Sequence, residues 1–178
     1  VHNMGYQLNQ CLAAIRNTVR FPYEMIIVDD GPSKDAGLVV TAAGDDVRIL
    51  RSAERHGFSH AVNAGLRASV GEVLLFLHAD VLLAPHTAED MLDALIENPT
   101  VGAVSAVASR TYERSRVAPP SEYRSWEEFA AVAEELRARE SALYPEILAE
   151  MFALMVRRDA AEAAGFLDEQ FTVPALAA

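Results

Sequence analysis

The hydrophobic positions of this chain follow two rhythms that take turns. An unbroken apolar run occurs at residues 73–77 (VLLFL), and strand-like stretches at 24–30 (EMIIVDD), 47–50, 101–109 and 152–156. The run at 73–77 is too short for a membrane helix and too uniform for a half-exposed strand, so it reads as a strand covered on both faces, and the others read as further strands, 24–30 a buried one. Between them the apolar residues recur every three or four positions. Leu8, Cys11, Leu12, Ile15 and Val19 predict a helix over about residues 6–20, and Pro22 closes it. A weak helix is expected over 35–43, and another from Ser59, as N-cap, through Ala68. Met91, Leu92, Leu95 and Ile96 predict a fourth helix, with Thr87 and Asp90 spaced as a capping box and Asn98–Pro99 as the stop.

This alternation of helix and strand predicts a layered α/β domain: a mostly parallel sheet, helices on both faces and right-handed crossovers. The run at 73–77 is expected to be its central parallel strand. The rhythm breaks over 110–150. A polar loop with Pro119 and Pro120 leads there into an acidic helix, 126–140, whose apolar face carries Phe129, Val132, Ala133 and Leu136. This segment reads as a helical excursion from the sheet. A strand at 152–156 and a short helix at 159–164, stopped by Gly165, return to it.

The polar residues that interrupt the strands carry the candidate chemistry. Open α/β sheets bind ligands at the carboxyl ends of their strands. The run at 73–77 ends in His78-Ala79-Asp80, and alternate side chains of an extended chain share a face, so His78 and Asp80 point the same way. They read either as a solvent-exposed strand end or as ligands of a divalent cation that also grips a nucleotide diphosphate. A carboxylate suits Mg²⁺ or Mn²⁺, and an imidazole beside it favours Mn²⁺. Asp29 and Asp30 precede Gly31-Pro32-Ser33. They are either a strand-to-turn junction, or a pair in which one carboxylate accepts the imide N–H of a uracil-like base while the other orients the loop. Gly57 supplies a positive φ or brings backbone N–H groups near a phosphate, and Asn63 faces solvent or a ligand. Asp168 and Glu169 form a further acidic pair, read as a surface turn. Tyr112, Tyr123 and Trp126 read as packing for the excursion, with stacking on a sugar as the alternative.

Bulk properties narrow the field. The 178 residues fit one domain, 1–178. A net charge of −11 argues against a nucleic-acid polymer or anionic membrane as partner. Cys11 is the single cysteine, which excludes an intrachain disulfide and makes a cytoplasmic setting the default. No stretch reaches the about 20 apolar residues of a membrane span. No Gly-x-Gly-x-x-Gly or Gly-x-x-x-x-Gly-Lys occurs, so dinucleotide and P-loop readings lack support.

Taken together, EMIIVDDGPSKD, ERHGFSHAVNAGLRASVGEVLLFLHADVLL and VRRDAAEAAGFLDEQF resemble, in order, the strand ending Asp-Asp-Gly-Ser, the Asn-x-Gly-x-x-x-Ala-x-Asn-x-Gly segment leading to the Asp-x-Asp strand, and the later Arg-Arg…Phe-Asp-Glu stretch of family 2 glycosyltransferases. The resemblance implies a GT-A fold and transfer of a sugar from a nucleotide-sugar donor (UDP-, GDP- or dTDP-linked) to an acceptor hydroxyl on a saccharide, lipid-linked or protein acceptor, with inversion and a divalent cation, Mn²⁺ or Mg²⁺. By position it puts Asn3 and Asp30 by the base, Asn63 near the donor and Asp80, assisted by His78, on the metal. His78 stands where the motif has its first Asp. VHN matches the end of the family's first strand, so that strand is expected upstream of Val1. The acidic pair that supplies the base is expected beyond Ala178, with Asp168 the candidate within the chain. Two rivals stand beside this reading: a noncatalytic GT-A-like domain that binds nucleotide or partner, and a nucleotidyltransferase, for which NMGYQLN lacks the Gly-rich phosphate loop.

Overall fold

In a computed structural model of the chain, the described residues are 4–32, 39, 41, 43–109, 117–139 and 151–170. In chain order the elements are α1 (Gly5–Thr18), β1 (Met25–Asp29), β2 (Val47–Arg51), α2 (Phe58–Ala68), β3 (Val73–Leu77), α3 (Thr87–Glu97), β4 (Ala103–Ser105), α4 (Trp126–Arg139), β5 (Ala153–Arg157) and α5 (Arg158–Ala164). Between β1 and β2, Val39, Thr41 and Ala43 are helical, and the rest of the helix expected there lies outside the described residues.

β3 behaves as its unbroken apolar sequence requires. Leu74 and Phe76 pack on one face with Leu66 of α2, Val156 of β5 and Ala160 and Ala161 of α5. Val73 and Leu75 face Met91 and Leu95 of α3 with Met155, while Leu77 joins Ile15, Val19, Leu83 and Ala88 on that same side. β3 therefore lies between α2 and α5 on one face and α1 and α3 on the other, with Leu74 buried and its neighbours partly buried.

Strand direction is where the structure differs from the expectation for β3. β1 and β2 form a parallel pair with Met25 opposite Val47 and Asp29 opposite Arg51. β3 pairs antiparallel with β5, as does β4, giving the order β3-β5-β4. β3 and β4 thus share a direction and β5 is reversed between them. An apolar run reports that both faces are covered; it carries no information about which way the neighbouring strand runs.

Two helix starts also differ. Ser59 is not the N-cap of α2: the helix begins after Gly57, at φ 101°. The capping box of α3 does not form either. His86 is the N-cap at φ 64° with no side-chain cap bond, and Asp90 turns its carboxylate to Arg137 of α4 at 2.6 and 2.8 Å. A partner distant in sequence outcompetes the local backbone for the same oxygens. The strand expected over 101–109 shortens to β4. Tyr123 and Trp126 pack on Phe129, with ring centroids 5.3 and 5.4 Å away, in keeping with a packing role; Tyr112 lies outside the described residues.

Arg157 and Arg158 staple the layers. Arg157 donates to the carbonyls of Leu95 and Val101, and Arg158 to Gly71 O (2.7 Å) and Ser69 Oγ (2.8 Å). Leu95, 1% exposed, sits at the centre of the α3 face. Leu95→Ala is expected to cost about 2–5 kcal/mol through lost transfer energy and a residual cavity, measured as a lower urea midpoint at unchanged m value.

Candidate functional site

β1 carries its two carboxylates into different jobs. Asp29, 1% exposed, accepts from Arg51 Nε at 3.1 Å across the strand register. Its Oδ1 is buried and has no partner among the described residues. An unmatched buried carboxylate oxygen is costly and marks a place where a donor is expected. Asp30 accepts the backbone N–H groups of His56 (3.0 Å) and Gly57 (2.7 Å), one on each oxygen. Burial works against its charge, but these two N–H groups, aided by the His56 ring, outweigh it and hold the carboxyl below its usual value. Gly31 lets this happen. At φ 93°, a Cβ there would lie 2.9 Å from the backbone nitrogen of Arg55, so the turn after β1 and the loop before α2 approach more closely than any side chain permits.

The second group stands at the end of β3. His78 Nδ1 lies 2.5 Å from Asp80 Oδ1, and both side chains are open to solvent, at 42% and 53%. Ala79 points the other way and is buried with Ile27 of β1 and Leu8 and Leu12 of α1. Cys11 of α1 donates its S–H to the His78 carbonyl at 3.9 Å. Helix α1 therefore underlies both strand ends. His78 and Asp80 open into a groove of about 1400 Å³ whose walls include Leu83 and Met91 on one side and Phe129 and Val132 of α4 on another. Burial, then the charge of Asp80, push the Cys11 thiol up to about 11.

Asn63 sits elsewhere. It is 2% exposed; its amide donates to Leu167 O and Glu169 Oε1, both at 2.9 Å, and its Oδ1 accepts Leu167 N at 3.1 Å. The expected donor-facing amide is thus committed to holding the segment after α5. Glu169 is also held by His60 (3.0 Å) and Arg67 (3.2 Å), which lie with Asn63 along one face of α2. The Asn63 bond, then His60 and Arg67, bring its carboxyl down to about 2 against burial. Asp168 is exposed and accepts Gln170 N at 2.9 Å, a turn contact. Asn3 lies outside the described residues. Among the described residues no three His, Cys, Asp or Glu side chains cluster to hold a metal, so a cation at His78 and Asp80 would draw its remaining ligands from substrate or water.

Arg51 and His60 are the residues sequence reasoning missed, and Glu169, read as part of a surface turn, is instead held by His60, Asn63 and Arg67. Arg51 had a signal in parallel register, opposite Asp29. The others are brought together by the return of the chain after α5.

The family profile for glycosyl transferase family 2 matches residues 1–163. The chain belongs to that family. A glycosyltransferase from Haemophilus influenzae, itself uncharacterized, is 29% identical over 100 residues, 56% of this chain and 34% of its own length. Glycosyltransferase AglE of Haloferax volcanii is 31% identical over 91 residues, 48% of this chain and 29% of its own. The chain therefore spans about a third of the length of these relatives. Among solved structures, the mannosyltransferase PcManGT of Pyrobaculum calidifontis, in complex with GDP-Man and Mn²⁺, superposes with a TM-score of 0.69 at 24% identity, over 95% of this chain and 46% of that one. Glucosyl-3-phosphoglycerate synthase from Mycobacterium tuberculosis, in complex with UDP, gives 0.56 at 17% identity, over 89% and 55%. The fold of this family member is that of the GT-A glycosyltransferases.

Two outcomes follow for these residues. Glu169 has a lowered carboxyl in the folded state, so its stabilisation is complete above its ordinary value of 4.5 and is lost as pH falls towards about 2. The melting-temperature gap between wild type and Glu169→Gln should be widest near pH 6 and close across that acid range. Cys11, buried with a raised pKa, should leave native protein unreactive to a chromogenic disulfide reagent at pH 8 and titrate fully in denaturant.

Proposed function

We propose that this chain is the donor-binding part of a glycosyltransferase that moves a sugar from a nucleotide-sugar to an acceptor hydroxyl, with inversion and with a divalent cation. The observation that carries the reading is the solvent-open His78–Asp80 pair, set at the end of the apolar strand β3 and at the mouth of a groove. Asp29, Asp30 and the loop at 55–57 form the base end, to which the family resemblance also assigns Asn3. Asp30 shapes that loop through the N–H groups of His56 and Gly57, and the unmatched Oδ1 of Asp29 is the acceptor left for a donor on the base. Gly57 keeps the backbone close at the turn into α2, and Asn63 acts on the donor indirectly, by fixing the 167–169 segment.

Asp80 and His78 would hold Mn²⁺ or Mg²⁺. Two protein ligands suit a cation that completes its shell with diphosphate oxygens and water. When bound, the cation neutralises charge on the nucleotide leaving group. The His78 imidazole, 2.5 Å from Asp80, orients that carboxylate. Inversion requires a carboxylate to take the acceptor proton, and Asp168, exposed in the turn after α5, is the candidate on this chain. Nucleotide-sugar donors and a lone free thiol both fit a cytoplasmic setting.

A thermal-shift series with UDP-glucose, GDP-mannose and dTDP-glucose, with and without Mn²⁺, tests this. At 100-fold excess over Kd, binding stabilises the folded state by about 2.7 kcal/mol, a rise in Tm of roughly 5–10 °C at this size. Asp80→Ala should abolish the Mn²⁺-dependent part of the shift and His78→Ala should reduce it. Absence of a Mn²⁺-dependent shift with every donor overturns the proposal.

A further inference from the structure

Two histidines lie between the base end and the segment after α5. His56 and His60 flank the start of α2, and their rings stack with centroids 4.4 Å apart and planes 26° from parallel. Each ring faces its own carboxylate. His56 Nδ1 is 3.6 Å from Asp30 Oδ1, the oxygen that its own backbone N–H also reaches at 3.0 Å. His60 Nδ1 is 3.0 Å from Glu169 Oε2, while Arg67 and Asn63 take the other oxygen of Glu169 at 3.2 and 2.9 Å. The contacts run without a break from Asp30 at the end of β1, through two stacked rings, to Glu169 beyond α5.

We propose that His56 and His60 are positioning residues that couple the 167–169 segment to the base end of the site, so that Glu169, acting through the stacked rings, sets the geometry of the Asp30–Gly57 loop. This rests on the nucleotide-sugar reading above. Gly57, with no side chain, adopts φ 101° freely, so its own conformation does not fix the loop, and what ties the loop to β1 is the pair of N–H groups that His56 and Gly57 give to Asp30. The backbone N–H that His56 gives to Asp30 is held in line only as well as the His56 side chain is held. The His60 ring limits that side chain on one face, and the hydrogen bond that His60 Nδ1 makes to the Glu169 carboxylate fixes His60 in turn. Seating of 167–169, where Asn63 supplies three hydrogen bonds to Leu167 and Glu169, therefore tightens a loop at the other end of α2's first turns.

The test is a double-mutant cycle read two ways, on full-length chain. In calorimetric titrations of UDP and GDP with Mn²⁺, Glu169→Gln is expected to raise Kd about 3- to 10-fold in the wild-type background and by less than about 2-fold in His56→Ala, since coupling vanishes once the relay is cut. His60→Phe, which keeps a stacking ring but not its bond to Glu169, should fall between wild type and His60→Ala and guards against loss of fold. Equal effects of Glu169→Gln in both backgrounds overturn the coupling. The Gly57 amide resonance supplies a reading independent of nucleotide: Glu169→Gln should shift it in wild type and leave it in place in His56→Ala. If neither UDP nor GDP binds wild type, the donor-binding reading fails while the Gly57 amide still decides the relay; an unmoved Gly57 amide overturns the relay whatever binds.

Discussion

The physical constraint beneath this structure is that β3 has no polar face. Five consecutive apolar residues are shared between two helix layers, Leu74 and Phe76 to one and Val73, Leu75 and Leu77 to the other. Ionisable groups can therefore appear only where the strand leaves the core, because a charge within it would be desolvated without a partner. His78 and Asp80 emerge at that point, and Ala79 between them is still small and apolar enough to pack with Ile27 and α1. The same helix supports the end of β1. One buried cluster thus supports both acidic strand ends, which is why a binding function is credible for groups 50 residues apart in sequence.

The two strand ends use charge in opposite ways. At β1 the carboxylates are buried: Asp29 accepts from Arg51 and keeps one unmatched oxygen, while Asp30 accepts two backbone N–H groups and shapes the loop. At β3 the pair is open to solvent and joined chiefly to itself. A buried, matched carboxylate has few lone pairs left for a ligand, whereas an exposed one keeps them. The end of β1 therefore keeps one unmatched oxygen, Asp29 Oδ1, whereas the carboxylate at the end of β3 is open to solvent. Glu169 adds a third pattern, an acid drawn down to about 2 by amide, imidazole and guanidinium partners, which ties the end of the described chain to α2.

Family membership and fold agree with that division without settling the reaction. The profile match covers residues 1–163, and the GT-A neighbours superpose over nearly the whole chain at identities of 24% or less. Likeness at that level fixes the arrangement of layers, while the groups that meet a substrate have to be argued from their own geometry.

Much of this was readable from residue order alone. Periodicity located nearly every helix and strand within a few positions, since burial of one stripe or both faces leaves a direct mark on local sequence. It also placed His78 and Asp80 on one side of a strand end and Asp29 and Asp30 at another. Gly165, at φ 84°, ended α5 as its position in the sequence implied. The tertiary structure decided the rest. It set the reversed direction of β5, the loss of the Asp90 cap to Arg137, the use of Gly57 in place of Ser59 at the start of α2, and the gathering of Asn63 and His60 onto Glu169. Each of these depends on a contact with a part of the chain distant in sequence. The partners that decide them lie 27 to 109 positions away, at a separation that local periodicity does not encode.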